Sequence, residues 1–236
     1  MMGTGAVIGR GAPQDTEAVV LPGKDRAQER ASMVEQQLIG RGIRDERMLA
    51  AFREVPREAF VDESVADLAY DDSPLPIGEG QTISQPYVVA LMIEALGVRP
   101  GDRVLEVGAG SGYAAAILSR LAERVYAIDR QPALAQAARD RFARLGFDNV
   151  DLRTGDGTLG LPNAAPFDAI LVSAGGPGIP GPLIDQLAPG GRLVIPVGKA
   201  REQRLLRIAK SGDGRAYQQD LGPVTFVRLV GDAGWP

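Results

Sequence analysis

The chain contains neither cysteine nor histidine. Without cysteine there is no disulfide framework and no thiolate nucleophile. Without histidine a Ser-His-Asp hydrolase is excluded, and the remaining side chains show no metal-ligand spacing, so no metal site is expected. Proton handling is left to carboxylates, serine, threonine, tyrosine, lysine and arginine. The chemistry should therefore need little help from a base tuned near neutral pH. No apolar run reaches the length of a membrane span, and the first residues lack the basic start and apolar stretch of a signal peptide. A cytoplasmic protein without membrane contact is expected. The formal net charge of −4 gives no general attraction to nucleic acid.

What is present suits one α/β domain. A chain of 236 residues, 44% hydrophobic and 24% charged, can bury one sizeable core. Residues 1–24 mix Gly, Pro, Thr and Ala without periodicity and are expected to form a mobile tail. The rest reads as one domain over 25–236: an N-terminal helical part at 25–100, a βα core at 101–200 and C-terminal strands at 201–236.

Met33, Val34, Gln37 and Leu38 recur at helical spacing, which predicts a helix from Asp25 to Gly40, and a second runs from Asp45 to Val55 before Pro56. The segment Tyr70–Gly78 holds too many prolines and turn formers for regular structure. A helix starting at Pro86 reaches about Leu96. From Asp102 onward, βα repeats predict a doubly wound, mostly parallel sheet with helices on both faces. Strands are expected at Arg103–Val107, Arg124–Ile128, Val150–Thr154, Ala169–Ser173 and Arg192–Val197. Helices fall at Tyr113–Ala122, Pro132–Leu145 and Pro182–Leu187, with a turn at Pro189-Gly190-Gly191. Gln203–Ala209 and Thr225–Val230, either side of the Ser211–Gly214 turn, suggest a C-terminal antiparallel strand pair.

The run Val104-Leu105-Glu106-Val107-Gly108-Ala109-Gly110-Ser111-Gly112-Tyr113 reads as a buried strand breaking into a glycine turn that opens a helix. Glycines let the backbone approach a ligand closely, and a helix start presents free N–H groups. Dinucleotide sites prefer G-x-G-x-x-G, whereas the spacing here is G-x-G-x-G with Glu106 just before it. That acid suits a ligand without phosphates. A second acid, Asp129, ends the next strand 21 residues after Gly108, where a βαβ unit places the acceptor for ribose hydroxyls. The alternative for the glycines is a tight βα turn with no ligand; turn, acid and spacing together favour a nucleoside site.

Ligands bind such sheets at the carboxyl ends of the strands, which gathers Gly108, Asp129, Asp156 and Ser173 on one rim. Asp156 is either an acceptor for an adenine amino group or a turn residue capping its own loop. Gly175 and Gly176 follow a strand end and leave room for a bulky substrate. In Gln81-Thr82-Ile83-Ser84-Gln85-Pro86, Ser84 lies at or beside a helix N-cap. Its hydroxyl either caps that helix, worth about 1 kcal/mol, or holds a carboxylate over the nucleoside site.

Together, Gly80-Gln81-Thr82-Ile83-Ser84-Gln85-Pro86-Tyr87, the Val104–Tyr113 run and Thr154-Gly155-Asp156-Gly157 closely resemble the protein-L-isoaspartate O-methyltransferase family, over about Asp25 to Val230. The glycine motif is shared by class I S-adenosylmethionine-dependent methyltransferases in general. Thr-Ile-Ser-Gln-Pro is the specific signal. The resemblance implies a Rossmann-like methyltransferase sheet with an N-terminal helical extension, and S-adenosyl-L-methionine as cofactor. It implies a catalytic role for Ser84, with Thr82 and Ile83 also meeting the substrate. It implies cofactor roles for Gly108, Gly110, Ser111 and Gly112 with Glu106 beside them, for Asp129 at the ribose, and for Asp156 and Gly157 near adenine. The implied reaction methylates the α-carboxylate of L-isoaspartyl residues in damaged proteins or peptides; the ester then closes to a succinimide, and hydrolysis returns some aspartate. A monomer is expected.

Residues 1–24, Gly175-Gly176 where small alanine-type residues are usual, and Arg228 where proline is common depart from the family pattern. Some relatives methylate one dedicated peptide. A small-molecule methyltransferase of the same fold would not need Thr82-Ile83-Ser84. A nicotinamide-dependent dehydrogenase would want the missing third glycine. A non-catalytic S-adenosylmethionine-binding protein would release no S-adenosylhomocysteine.

Overall fold

In a computed structural model describing residues 26–199 and 202–236, seven strands form one sheet in the order β5 (Val150–Thr154), β4 (Arg124–Asp129), β3 (Arg103–Val107), β6 (Phe167–Val172), β7 (Leu187–Lys199), β8 (Glu202–Lys210) and β9 (Ala216–Val224). The tail expected at residues 1–24 lies outside the described residues. Ahead of this sheet in the chain, β1 (Leu75–Pro76) and β2 (Thr82–Ile83) form a separate antiparallel pair. From β5 to β7 all pairings are parallel, while β8 and β9 add antiparallel. The chain moves outward from β3 to β5, then returns to lay β6 on the other side of β3. That reversal opens a crevice beyond the carboxyl ends of β3 and β6.

Alternation along the strands sorts the core into two layers. Val104 packs into a cluster with Val89, Met92, Tyr113 and Phe52, whereas its neighbour Leu105 packs on the opposite face with Phe167, Leu183 and Ile195. Helices α1 (Ala27–Met33), α2 (Glu46–Glu54), α3 (Pro86–Leu96), α4 (Tyr113–Ser119) and α5 (Pro132–Leu145) cover the first face. The second carries α6 (Gly181–Asp185) and short 3₁₀ turns at Gly157–Leu159 and Pro162–Ala164.

Several boundaries correct the sequence reading. The first helix is α-helical only to Met33 and continues as a π turn (Val34–Leu38) and a 3₁₀ turn (Ile39–Arg41), ending at left-handed Gly42. Helix α4 stops at Ser119, three residues short of Ala122. The Tyr70–Gly78 segment holds a strand after all: β1 (Leu75–Pro76) pairs with β2 (Thr82–Ile83) around a tip in which Gly78, Glu79 and Gly80 all have positive φ. Pro189-Gly190-Gly191 lies within β7, where the register against β6 shifts between Phe167 and Ala169. The last strand is Ala216–Val224, and Thr225–Val230 is not one; its Arg228 and Val230 form only isolated bridges, to Gly175 and Trp235. An exposed edge strand needs little apolar surface, so the polar run 216–224 could serve, while the apolar run after it crosses the sheet's rim.

Candidate active site

Strand β3 ends at Val107, and the turn that follows is left-handed at Gly108 (φ 82°), Gly110 (φ 54°) and Gly112 (φ 89°). Such φ values strain any residue with a Cβ, so the turn depends on its glycines. The amides of Gly108 and Ala109 donate to the Ile128 carbonyl at 2.9 and 3.3 Å. Asp129, one residue on, accepts from Gly110 N at 2.7 Å through Oδ2 and from Gln131 N at 2.8 Å through Oδ1. The strand-end acid thus sets the position of the glycine turn.

Over these strand ends lies a cavity lined by Gly108, Gly110, Asp129, Gly157 and Ser173 and roofed by Val227–Val230. A Cβ on Gly157 would sit 2.5 Å from Val107 Cγ1, so only glycine allows that loop to close against β3. A second cleft of about 930 Å³ runs between Thr82–Gln85 and the β8–β9 side of the sheet, bounded by Glu202, Arg204 and Phe226. A third pocket holds Ile83, Ser84, Glu106, Ser111 and Tyr113. Thr82 and Ser173 line all three spaces, and Ser84 lines the cleft and the third pocket. The spaces meet there.

Ser84 does not cap α3. The N-cap is Gln85, without a side-chain cap bond, and the Ser84 hydroxyl has no hydrogen bond among the described residues. The β1–β2 hairpin explains the neighbours: Ile83 turns inward at 4% exposure, and exposed Thr82 faces the cavities. Glu106 is 1% exposed, with Oε1 accepting from Ser173 Oγ at 3.4 Å and Oε2 unpartnered. Burial, reinforced by the Asp129 charge and opposed by the Ser173 bond, pushes its pKa up to about 8.

Two residues from the glycine and rim motifs point elsewhere. Gly112 lines none of these spaces; a Cβ there would meet the Phe142 ring at 2.6 Å, so its bareness lets α5 pack against the turn. The Asp156 carboxylate caps its own loop, accepting from Thr158 N (2.8 Å) and Thr158 Oγ1 (2.7 Å), and its other oxygen accepts from Asp232 N (2.7 Å). Gly175 and Gly176 admit no substrate, because the protein itself fills the space: a Cβ on Gly175 would lie 2.4 Å from Gln203 Nε2, and one on Gly176 2.7 Å from the Gly178 carbonyl. Missed from sequence were the roof residues Val227–Val230, the cleft wall from β8 and Phe226, and buried Gln203. Only Arg228 carried a signal, as a departure from family pattern.

A parallel sheet reversing at β3, a left-handed glycine turn at that reversal and a strand-end acid hydrogen-bonded to it define a doubly wound fold with a nucleoside site at its switch point. The family model for protein-L-isoaspartate(D-aspartate) O-methyltransferase matches residues 28–234. The chain belongs to that family. A protein-L-isoaspartate O-methyltransferase of Methylorubrum extorquens (strain PA1) is 60% identical over 226 residues, covering 96% of this chain and 97% of its own length. One from Pelotomaculum thermopropionicum is 57% identical over 211 residues, covering 89% and 92%. A solved protein-L-isoaspartate O-methyltransferase structure aligns with TM-score 0.79 at 31% identity, over 86% of this chain and 67% of that one. A Plasmodium falciparum structure described as a β-aspartate methyltransferase, in complex with S-adenosyl-L-homocysteine, aligns with TM-score 0.74 at 27% identity, over 85% and 98%. The protein is a transferase, and S-adenosylmethionine is its methyl donor. The residues present fit that donor: Glu106 offers a buried, unpartnered carboxyl oxygen beside the turn, where a cationic group gains most and a phosphate least. Among the described residues no helix is long and apolar enough to cross a membrane.

Proposed function

We propose that this enzyme starts the repair of damaged proteins and peptides by methylating the α-carboxylate of L-isoaspartyl residues, with transfer taking place where Thr82, Ser84 and Ser173 meet. The observation that carries the reading is the uncommitted Ser84 hydroxyl, half-buried where the cleft joins the inner pocket. In this reading the rim cavity takes the donor: Gly108 and Gly110 let it approach the backbone, Asp129 faces the ribose, Gly157 lies beside adenine, and Glu106 and Ser111 line the inner end. Asp156 acts there through its loop and the roof it ties down. When bound, S-adenosylmethionine supplies an electrophilic methyl group on a positively charged sulfur.

An α-carboxyl has a pKa of about 3.5, so the acceptor is already an anion at neutral pH and needs no general base. This is how a chain without histidine manages the reaction. The residues' work is orientation. Ser84 donates a hydrogen bond to the carboxylate, and the first free amides of α3 add to its hold on the anion. Thr82 and Ile83 set the height of the hairpin above the rim, while the roof at Val227–Val230 keeps water from the donor. Alignment of this kind supplies several kcal/mol, roughly. The reading takes the enzyme as a monomer of the cytoplasm that acts on proteins and peptides and not on nucleic acid, in keeping with its net charge of −4.

The test compares labelled-methyl incorporation into matched isoaspartyl and aspartyl peptides. Incorporation into the isoaspartyl peptide alone is expected. Equal labelling of both, or of neither, overturns the proposal.

A further inference from the structure

Among the described residues Arg57 is the largest fully buried side chain, at 0% exposure, and has no ion pair. Its Nε donates to the Ala69 carbonyl at 2.8 Å, and its Nη2 donates to the Ser84 carbonyl at 2.7 Å. The guanidinium carbon lies 5.0 Å from the ring centroid of Tyr113. Tyr113 is 1% exposed and opens α4 directly after the glycine turn. Its ring is wedged edge-on against Phe52 and Phe60, with centroids 6.1 and 5.6 Å away, so its place is set by the core.

A buried guanidinium without a carboxylate partner is costly to desolvate, and an apolar side chain of similar volume would stabilise this core more. What an apolar side chain would lack is the rigid fork. That fork joins the segment before β1, the Ser84 peptide group and the residue after the glycine turn, three pieces distant in sequence. Arg57 lines neither the rim cavity, the cleft nor the inner pocket. It therefore touches no substrate.

We infer that Arg57 is a positioning residue: by holding the Ser84 carbonyl and stacking on Tyr113, it fixes the Ser84 hydroxyl relative to the glycine turn that receives the donor. A hydroxyl on a loop with no cap bond of its own needs such an anchor, because rotation of the peptide that follows Ser84 would swing the side chain off the junction. The inference rests on the reading of Ser84 given above, and the test separates the two.

Arg57→Lys keeps the charge but not the fork. It is combined with Ser84→Ala in a double-mutant cycle, measuring kcat and KM on an isoaspartyl peptide, S-adenosylhomocysteine affinity by calorimetry, and melting temperature. In the Ser84 background Arg57→Lys should lower kcat about tenfold or more while leaving S-adenosylhomocysteine affinity within about twofold. In the Ser84→Ala background the same change should alter kcat by less than about twofold, since the residue it positions is gone. If Arg57→Lys does not fold, Arg57→Gln, which can still donate to one carbonyl, carries the same comparison. A loss of the same size in both backgrounds, or unchanged kcat in the first, overturns the inference and leaves the Ser84 reading standing. Undiminished turnover in Ser84→Ala alone overturns both.

Discussion

The side-chain amide of Gln203 grips the backbone of Phe226 from both sides: Phe226 N donates to Oε1 at 2.7 Å, and Nε2 donates to the Phe226 carbonyl at 3.1 Å. Gln203 is 1% exposed, and its amide occupies the space a side chain on Gly175 would need. The strap that follows is then stitched to β6's continuation by Gly175 N to Val227 O (2.7 Å), Leu229 N to Gly175 O (2.9 Å) and Trp235 Nε1 to Gly175 O (3.0 Å). One glutamine thus starts the roof of the rim cavity.

Replacing Gln203 with Leu should leave two Phe226 backbone groups unpaired and cost about 1–3 kcal/mol. Donor affinity should fall with it, because Val227–Val230 lose their anchor. Gly175→Ala should act in the same direction by displacing the glutamine. Calorimetry with S-adenosylhomocysteine and thermal melting check this; full affinity in both variants would show that the roof is held without Gln203.

Ser84→Ala should melt like the parent. A lost N-cap would cost about 1 kcal/mol, but the cap position belongs to Gln85. Turnover on isoaspartyl peptide should fall about 10- to 100-fold with donor affinity unchanged, as for loss of a hydrogen bond to a charged group. A lower melting point with normal turnover would return Ser84 to a structural role.

Glu106 makes stability depend on pH in a defined direction. Burial raises its pKa from 4.5 to about 8, so between those values the folded, ligand-free enzyme holds a proton that the unfolded chain has lost. The stabilisation is complete below the ordinary value and disappears as pH climbs toward the raised one. Melting temperature should therefore decline from mildly acidic pH to about pH 8 more steeply in the parent than in Glu106→Gln, which cannot titrate. Parallel curves for the two proteins would refute a protonated Glu106.

Asp156 has the opposite sign. Partial burial resists its ionisation, but hydrogen bonds from Thr158 and Asp232 outweigh that and hold its pKa below the ordinary 3.8. Its contribution is present above that ordinary value and is lost as pH falls below it. Asp156→Ala should cost about 1–2 kcal/mol and free the Gly231–Trp235 turn, which hydrogen exchange would report as faster exchange at Asp232 and Ala233. Unchanged exchange there would show that the bonds to Thr158, Leu229 and Trp235 hold the C-terminal turn without Asp156.

The central strands were legible because strands buried on both faces read as short apolar runs cut by Gly and Pro, and β3, between Gly101 and Gly108, falls where those signals lie. Helix α5 begins at Pro132 and stops at Gly146 for equally local reasons. The same logic misplaced the last strand. Phe226–Val230 has the composition of a strand, yet the backbone of Val227 and Leu229 is engaged by Gly175, and polar Ala216–Val224 takes the edge beside β8. Pairing partners, not composition, decide an edge.

By itself the sequence determined the parallel core, the glycine turn with its strand-end acid, and the family signature around Ser84, because each is written in neighbouring residues whose backbone needs are local. Only the tertiary structure decided that Gly112 serves packing, that Asp156 ties down the roof, that Gly175 yields its space to Gln203, and that Arg57 reaches Ser84. Those relationships join residues far apart in the chain. A buried polar group takes whichever partner the completed fold brings within hydrogen-bond distance, and no spacing in the sequence encodes that choice.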